Sequence, residues 1–170
     1  MLTTEAVATE DEVCADHPDD ACDVLKYFIA LYDVRAQAEA AINAELEYIA
    51  PTLTPDASGD DYRAVAQEGI FRTRVYIESM IQGLEQLTPP PPLVEAHSQY
   101  LDAYSQSLRL GEEASAIMDM EDVDTFEEVR SAFDTLLLAT DVLNKVACEA
   151  LVDVADRYNV RSGLDCNQPE

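Results

Sequence analysis

Four cysteines are the residues of this chain whose spacing most directly suggests chemistry. Cys14 and Cys22 lie near the start of the sequence, and Cys148 and Cys166 lie near its end. In an intracellular enzyme such a set usually binds metal or carries out redox reactions, whereas an exported helical domain uses it for disulfides. The segment CADHPDDAC also spaces Cys14, His17 and Cys22 as three zinc ligands, but the usual C-x-x-C pair is absent. We therefore predict disulfides and no metal site.

A second candidate site is centred on Arg35, which lies on the inward face of the first predicted helix, with Glu39 one turn later. A buried guanidinium must find a carboxylate or several other acceptors. Arg35 therefore either pairs with Glu39 at the edge of the core or belongs to a polar layer that accepts a small anion. Residues at the same helical level complete the candidate ligand-binding set, which is Arg35, Glu39, Thr73, Tyr76, Tyr104 and Thr140.

His97 falls on the apolar stripe predicted for the third helix, which comprises Leu93, His97, Leu101, Tyr104, Leu108 and Met118. A haem or di-iron bundle would need further His or Met ligands, or Glu-x-x-His motifs on two helices. The sequence has no such motif. We predict that His97 is a hydrogen-bonded core histidine and that the protein carries no cofactor.

The motifs of several enzyme classes are missing from the sequence. It contains no G-x-S-x-G, P-loop or G-x-G-x-x-G motif. It also has only two histidines, the residue type that most often serves in acid–base catalysis. The acidic segments 56–61 and 119–128 could hold calcium, although neither has the EF-hand arrangement. We expect the acidic side chains of both segments to be solvated and to bind no ion. From the missing motifs we predict that the protein is not an enzyme.

The charge of the chain limits its partners. It has 35 acidic and 10 basic residues, for a net charge of −25 at pH 7. Such a surface repels phosphate backbones and anionic lipid headgroups, so nucleic acids and membrane surfaces are unlikely partners. The sequence also contains no run of 18 apolar residues, which argues against membrane insertion.

Apolar residues that recur every three or four positions predict four long helices. Acidic side chains favour a helix start, and proline ends or begins a helix. The predicted helices run from Asp19 or Asp20 to Pro51, from about Asp60 to Leu87, from Pro92 to Met118 and from Asp124 to Tyr158.

Four helices with short connections pack most simply as an antiparallel up-down-up-down four-helix bundle. The predicted fold is all-α with disulfide-stapled termini. Residues 20–166 form one domain, preceded by an acidic arm (1–19) and followed by a tail (167–170). In this topology the start of the first helix and the end of the fourth share one end of the bundle, so all four cysteines gather there.

Two disulfide arrangements are compatible with this topology. Local pairing joins Cys14 to Cys22 and Cys148 to Cys166, and it is the preferred arrangement. Residues 160–166 are long enough to reach back to Cys148 when extended, because each residue spans at most about 3.5 Å. Crossed pairing, with Cys14–Cys148 and Cys22–Cys166 bonds, is also geometrically accessible.

The segment ACEALVDVADRYNVRSGLDC resembles the C-terminal signature of uncharacterised secreted or lipid-anchored bacterial helical-bundle proteins. The matching positions are Cys148, Leu151, Ala155, Leu164 and Cys166. PPPPLVEAH is similar to the proline-led third helix of those proteins, whereas the pair Cys14 and Cys22 departs from their pattern. The resemblance implies export and a disulfide, and it implies no activity.

We predict a non-enzymatic, extracytoplasmic four-helix bundle with a structural or protein-interaction role, whose partner is another protein or a second copy. The alternatives are a ligand-binding or sensory bundle with a pocket near Arg35, and a metal-binding protein that uses its acidic loops. An exposed apolar face would favour the interaction role, and an apolar pocket beside Arg35 the sensory one. Residues 1–23 contain eight acids, no bases and no apolar core, so an export signal would have preceded them.

Overall fold

The computed structural model of the chain describes residue 14 and residues 18–45, 59–118 and 126–166. The described residues form α-helices and a short 3₁₀ turn, and they include no strand. The all-α prediction is therefore confirmed. The four helices are α1 (Asp19–Glu45), α2 (Gly59–Gln86), α3 (Val94–Met118) and α4 (Phe126–Arg157).

The helix ends follow from residues that favour or oppose helical backbone. Asp19 and Asp20 occupy the first turn of α1, where their negative charges interact favourably with the helix dipole and stabilise the helix. The prolines after α2 cannot continue a helix, and Pro91–Leu93 instead forms a single 3₁₀ turn that leads directly into α3. The predicted end of α1 at Pro51 and both acidic segments, apart from a few of their terminal residues, lie outside the described part of the chain.

The C-terminal end of α4 reverses the chain through a left-handed residue. Asn159 has a φ of 55°, and the amide of Val160 donates to the carbonyl of Ala155 at 2.9 Å. This pattern is a Schellman motif, in which a residue in the left-handed region closes the last helical turn. Gly163 has a φ of 69°, which suits glycine because it has no side chain to clash. The segment after Arg157 can therefore run back along α4.

Consecutive helices pack against one another, α1 on α2, α2 on α3 and α3 on α4. The first turns of α1 and α3 lie at the same end, because Tyr27 of α1 contacts His97 of α3. These contacts agree with the up-down-up-down bundle. All four helices contribute to one core, whose most buried members include Leu31, Met80, Leu84, Tyr104 and Leu151.

Gly83 marks a close approach of α1 and α2. A β-carbon at this position would lie 2.4 Å from Cγ1 of Val34, well inside normal contact distance. Val34 is β-branched and has little rotational freedom in a helix, so it could not easily move aside. Glycine therefore lets the two helices approach at a level where any larger residue would separate them.

Both disulfides join local pairs, so the preferred arrangement is confirmed and the crossed one is not adopted. Cys14 bonds to Cys22 with an S–S distance of 1.95 Å, and Cys148 bonds to Cys166 with a distance of 2.03 Å. All four thiols are used in these bonds. A disulfide sulfur offers no thiolate, so a zinc site that used Cys14 and Cys22 would require this bond to be reduced.

Candidate functional site

Three exposed aliphatic side chains follow one another on the outer face of α4. Leu138, Val142 and Val146 are 65%, 55% and 61% exposed. Residues four apart lie one turn apart on the same face of a helix, so the three form a continuous row, which we call the α4 stripe. Isolated exposed apolar residues are ordinary, whereas contiguous ones mark contact surfaces. The stripe faces away from the core side of α4, which includes Leu151 and Val154.

Charged side chains surround the α4 stripe. Asp141, Lys145, Glu149 and Asp153 are all exposed. Lys145 Nζ lies 3.9 Å from a carboxylate oxygen of Glu149, an exposed pair of the kind that contributes little to stability. The surroundings of the stripe are therefore polar and more acidic than basic, as the rim of a protein-binding surface would be.

A groove of about 560 Å³ lies between α4 and the segment that returns along it. We call it the C-terminal groove. The Cys148–Cys166 bond holds this segment in place, and Cys166 is itself part of the groove wall. The lining combines three carboxylates with one guanidinium and a few small or apolar residues, namely Glu149, Asp153, Asp165, Arg161, Val152, Ser162, Gly163, Leu164 and Cys166.

The carboxylates of the groove do not form a metal centre. Within the described residues no group of three or more His, Cys, Asp or Glu side chains is arranged to hold a metal ion. Of the acidic segments 56–61 and 119–128, which carry the metal-binding alternative, residues 56–58 and 119–125 lie outside the described part of the chain. That alternative stays a prediction.

Buried side chains with polar groups recur on the inward face of α3 between His97 and Ser107. His97, Tyr100, Tyr104 and Ser107 are spaced by three, four and three residues and are all buried. Their neighbours lie on the three other helices. Tyr27 of α1 reaches His97, Tyr76 of α2 packs against Tyr104, and Ser107 approaches Asn144 of α4 at 3.5 Å. This polar face of α3 thus contacts each of the other helices and favours the alignment in which its buried polar groups meet partners.

His97 and Tyr27 form the first level of this polar face. Tyr27 Oη lies 2.9 Å from Nδ1 of His97, a distance at which the hydroxyl donates when the ring proton is on Nε2. Burial raises the pKa of Tyr27, so its hydroxyl keeps its proton. Burial also lowers the pKa of His97, because a charged imidazolium would lose its hydration. The predicted hydrogen-bonded core histidine is confirmed.

Mild acid is expected to destabilise the fold through His97. The folded-state pKa of His97 lies below the unfolded value of about 6.5, so its stabilising effect is complete above that pH and is lost below it. As the pH falls from about 7.5 to about 5.5, the free energy of unfolding of the parent, measured with urea, should decrease by up to about 1.4 kcal/mol per pH unit more than that of His97→Gln. Equal slopes for parent and His97→Gln would exclude His97 as the source.

The candidate ligand-binding residues do not all face one site. Tyr76 and Tyr104 are brought together, with ring centroids 6.4 Å apart. Arg35 and Thr140 are half-buried, whereas Glu39 and Thr73 are exposed on the surfaces of α1 and α2. Tyr104 also meets a residue outside the predicted set. The rings of Tyr104 and Tyr100 are 5.0 Å apart, and their hydroxyl oxygens lie within 3.2 Å of each other.

Comparison of the chain with protein-family models, curated proteins and solved structures yields no match. Among the described helices, none has both the length and the apolar character needed to cross a membrane. The two disulfides indicate an oxidising, extracytoplasmic environment. Function is therefore inferred from the chemistry of the α4 stripe, the C-terminal groove and the polar face of α3.

Proposed function

We propose that this protein is a secreted or cell-surface, non-enzymatic helical bundle that binds another protein through the α4 stripe. The stripe carries this proposal, because it places three aliphatic side chains in water on the side of α4 opposite the core. Both disulfides and the resemblance to exported helical bundles support the location. The charge of −25 disfavours nucleic acids and anionic membranes as the alternative binding partners.

The physical argument concerns what the stripe contributes. Covering apolar surface stabilises a complex by roughly 25 cal/mol for each Å² removed from water. Leu138, Val142 and Val146 gain little of this in the isolated chain, since each is more than half exposed. A complex in which a partner covers these side chains would be stabilised by this free energy. Protein interfaces commonly combine such an apolar centre with a polar rim, and the charged residues beside the stripe provide the rim.

Val142→Gln is expected to weaken binding of the natural partner by about tenfold, since it removes the central apolar side chain without changing the charge. The parent and the variant would be immobilised separately and used to recover proteins from the extracytoplasmic fraction of the producing cells. The affinity of the protein recovered by the parent would then be measured for both. The melting temperature should hardly change, because Val142 is outside the core.

Val94→Gln supplies the matched control. Val94 is a valine of similar exposure, 54%, on a different helix, so its replacement tests any general effect of lost surface hydrophobicity. Its partner binding should equal that of the parent. Sedimentation equilibrium would show whether the partner is a second copy, because a dimer formed through the stripe should dissociate in Val142→Gln. If Val142→Gln changed neither partner binding nor oligomeric state, the proposed function would be wrong.

A small-ligand function is the second candidate, and one observation favours it. The rings of Tyr76, Tyr100 and Tyr104 lie next to one another, and two of their hydroxyls meet in the core. A phenolic or carboxylate ligand could use the same polar groups. Tyr100 and Tyr104 are themselves buried, however, and their rings occupy the core where such a ligand would have to bind. The interaction role is therefore preferred.

A further inference from the structure

We propose that the partner of the α4 stripe is a basic, amphipathic helical segment. Its apolar side chains would cover Leu138, Val142 and Val146, and a lysine or arginine one or two turns further on would enter the C-terminal groove. This proposal rests on the proposed function and adds the chemistry of the partner to it.

The stripe and the groove form one continuous surface. Glu149 follows the last residue of the stripe, Val146, by three residues, and Asp153 follows it by seven. At 1.5 Å per residue these carboxylates lie about 4.5 Å and about 10 Å further along the helix axis. Both side chains are exposed and both line the groove. A helix lying along α4 would therefore meet apolar residues first and carboxylates next, at helical spacing.

The groove has the charge and the size for a basic side chain. Glu149 and Asp153 lie on the α4 wall, and Arg161 is the one basic residue in the lining. Its volume of about 560 Å³ is ample for a lysine or arginine side chain with some water. A guanidinium or ammonium that reached the α4 wall would gain charge-assisted hydrogen bonds to these carboxylates.

Two observations argue against a second copy of this chain as the occupant. Three aliphatic side chains provide far less area than the roughly 800 Å² per partner that a standard stable interface buries. Two copies would also bring together two net charges of −25, which repel each other. A basic partner turns the same charge into an attraction, so a small apolar area is enough to orient it.

The test uses a synthetic helical peptide as the probe. The peptide has three leucines spaced four residues apart, and two lysines that lie three and seven residues after the last leucine. A second peptide carries glutamates in place of the lysines. Fluorescence anisotropy should show binding of the lysine peptide to the parent protein and at least tenfold weaker binding of the glutamate peptide. Binding of the lysine peptide should fall as salt is raised, because exposed charges are screened.

Matched variants separate a specific site from general attraction to an acidic protein. Glu149→Gln/Asp153→Asn should weaken the lysine peptide by about fivefold to tenfold, as expected for two lost charge pairs. Glu95→Gln/Asp102→Asn removes the same charge from exposed positions on α3 and should leave binding within twofold. Val142→Gln should weaken the peptide about tenfold, and Val94→Gln should not. Equal losses in the two double variants, or equal binding of the two peptides, would overturn the proposal.

The outcomes also distinguish this proposal from the proposed function. If a natural partner bound in a Val142-dependent way while the lysine peptide failed to bind, the stripe would be an interface with a partner of different chemistry. If the parent were a dimer that Val142→Gln dissociated, the occupant would be a second copy and the basic segment would be excluded. Failure of both the natural-partner and the peptide experiments would remove both proposals.

Discussion

Replacing Cys148 and Cys166 together by alanine is expected to lower the free energy of unfolding by about 3 kcal/mol. The bond closes a loop between residues separated by 18 positions, so its loss gives the unfolded chain more conformational freedom. Cys148 is also buried among core residues of α4, which adds a small packing loss. Both cysteines are replaced because one remaining thiol could form a wrong disulfide. Urea unfolding under non-reducing conditions would measure the change.

Cys14→Ala/Cys22→Ala is the natural comparison. Its loop spans a separation of 8 positions, so the same entropy argument predicts a somewhat smaller loss. Hydrogen exchange gives a second readout. In the Cys148/Cys166 variant, exchange of the amides of residues 158–166 should become much faster, whereas exchange of the α1 amides should become faster only as far as the global loss of stability requires. Unchanged stability and unchanged exchange would show that the C-terminal segment is held by its other contacts alone.

The helices and the disulfide pairing could be predicted because they depend on local chemistry. Proline before α3 and aspartates at the start of α1 act within one turn, and α2 was predicted to within about one residue of Gly59–Gln86. Local pairing of the cysteines was the preferred arrangement because residues 160–166 can reach back to Cys148, although the topology also left crossed pairing open. None of these predictions required knowledge of how the helices rotate against one another.

The inward face of α3 shows what periodicity could not settle. The predicted stripe included Leu101 and Leu108, which are only partly buried, and it omitted Tyr100 and Ser107, which are buried. Hydropathy favours leucine over tyrosine and serine for the core. The bundle instead turns α3 so that Tyr100 and Ser107 face the core, where Tyr100 meets Tyr104 one turn along the same helix and Ser107 approaches Asn144 of α4. The face of α3 that turns inward and the contact with α4 are visible only after the four helices are assembled.

The α4 stripe was missed for a related reason. The apolar residues of α4 lie on more than one face of the helix, and their periodicity alone does not show which face the other helices cover. Leu138, Val142 and Val146 form one such row, at intervals of four. A second apolar row was thus a detectable signal. Whether it is covered depends on how many helices surround α4, and the bundle leaves it exposed.

Tyr104→Ala is expected to cost about 3–5 kcal/mol of stability, the range found when a buried aromatic ring is removed. Tyr104 is completely buried and lies between the rings of Tyr76 and Tyr100, so its loss leaves a cavity of about one ring in the middle of the bundle. Core cavities of this kind can bind small aromatic molecules. Phenol should therefore raise the melting temperature of Tyr104→Ala, because it restores both the ring and a hydroxyl beside Tyr100.

The parent protein decides between the two functional candidates in the same experiment. If the tyrosine rings only fill the core, phenol and small carboxylates should leave the parent's melting temperature unchanged, since no space is open to them. Tyr104→Phe, which keeps the ring, should behave like the parent and should not respond to phenol. A rise in the parent with any of these compounds would show that the intact folded protein binds them and would favour the ligand-binding role. A response confined to Tyr104→Ala would instead mean that the cavity exists only after the ring is removed, which would favour the proposed role of the α4 stripe over ligand binding.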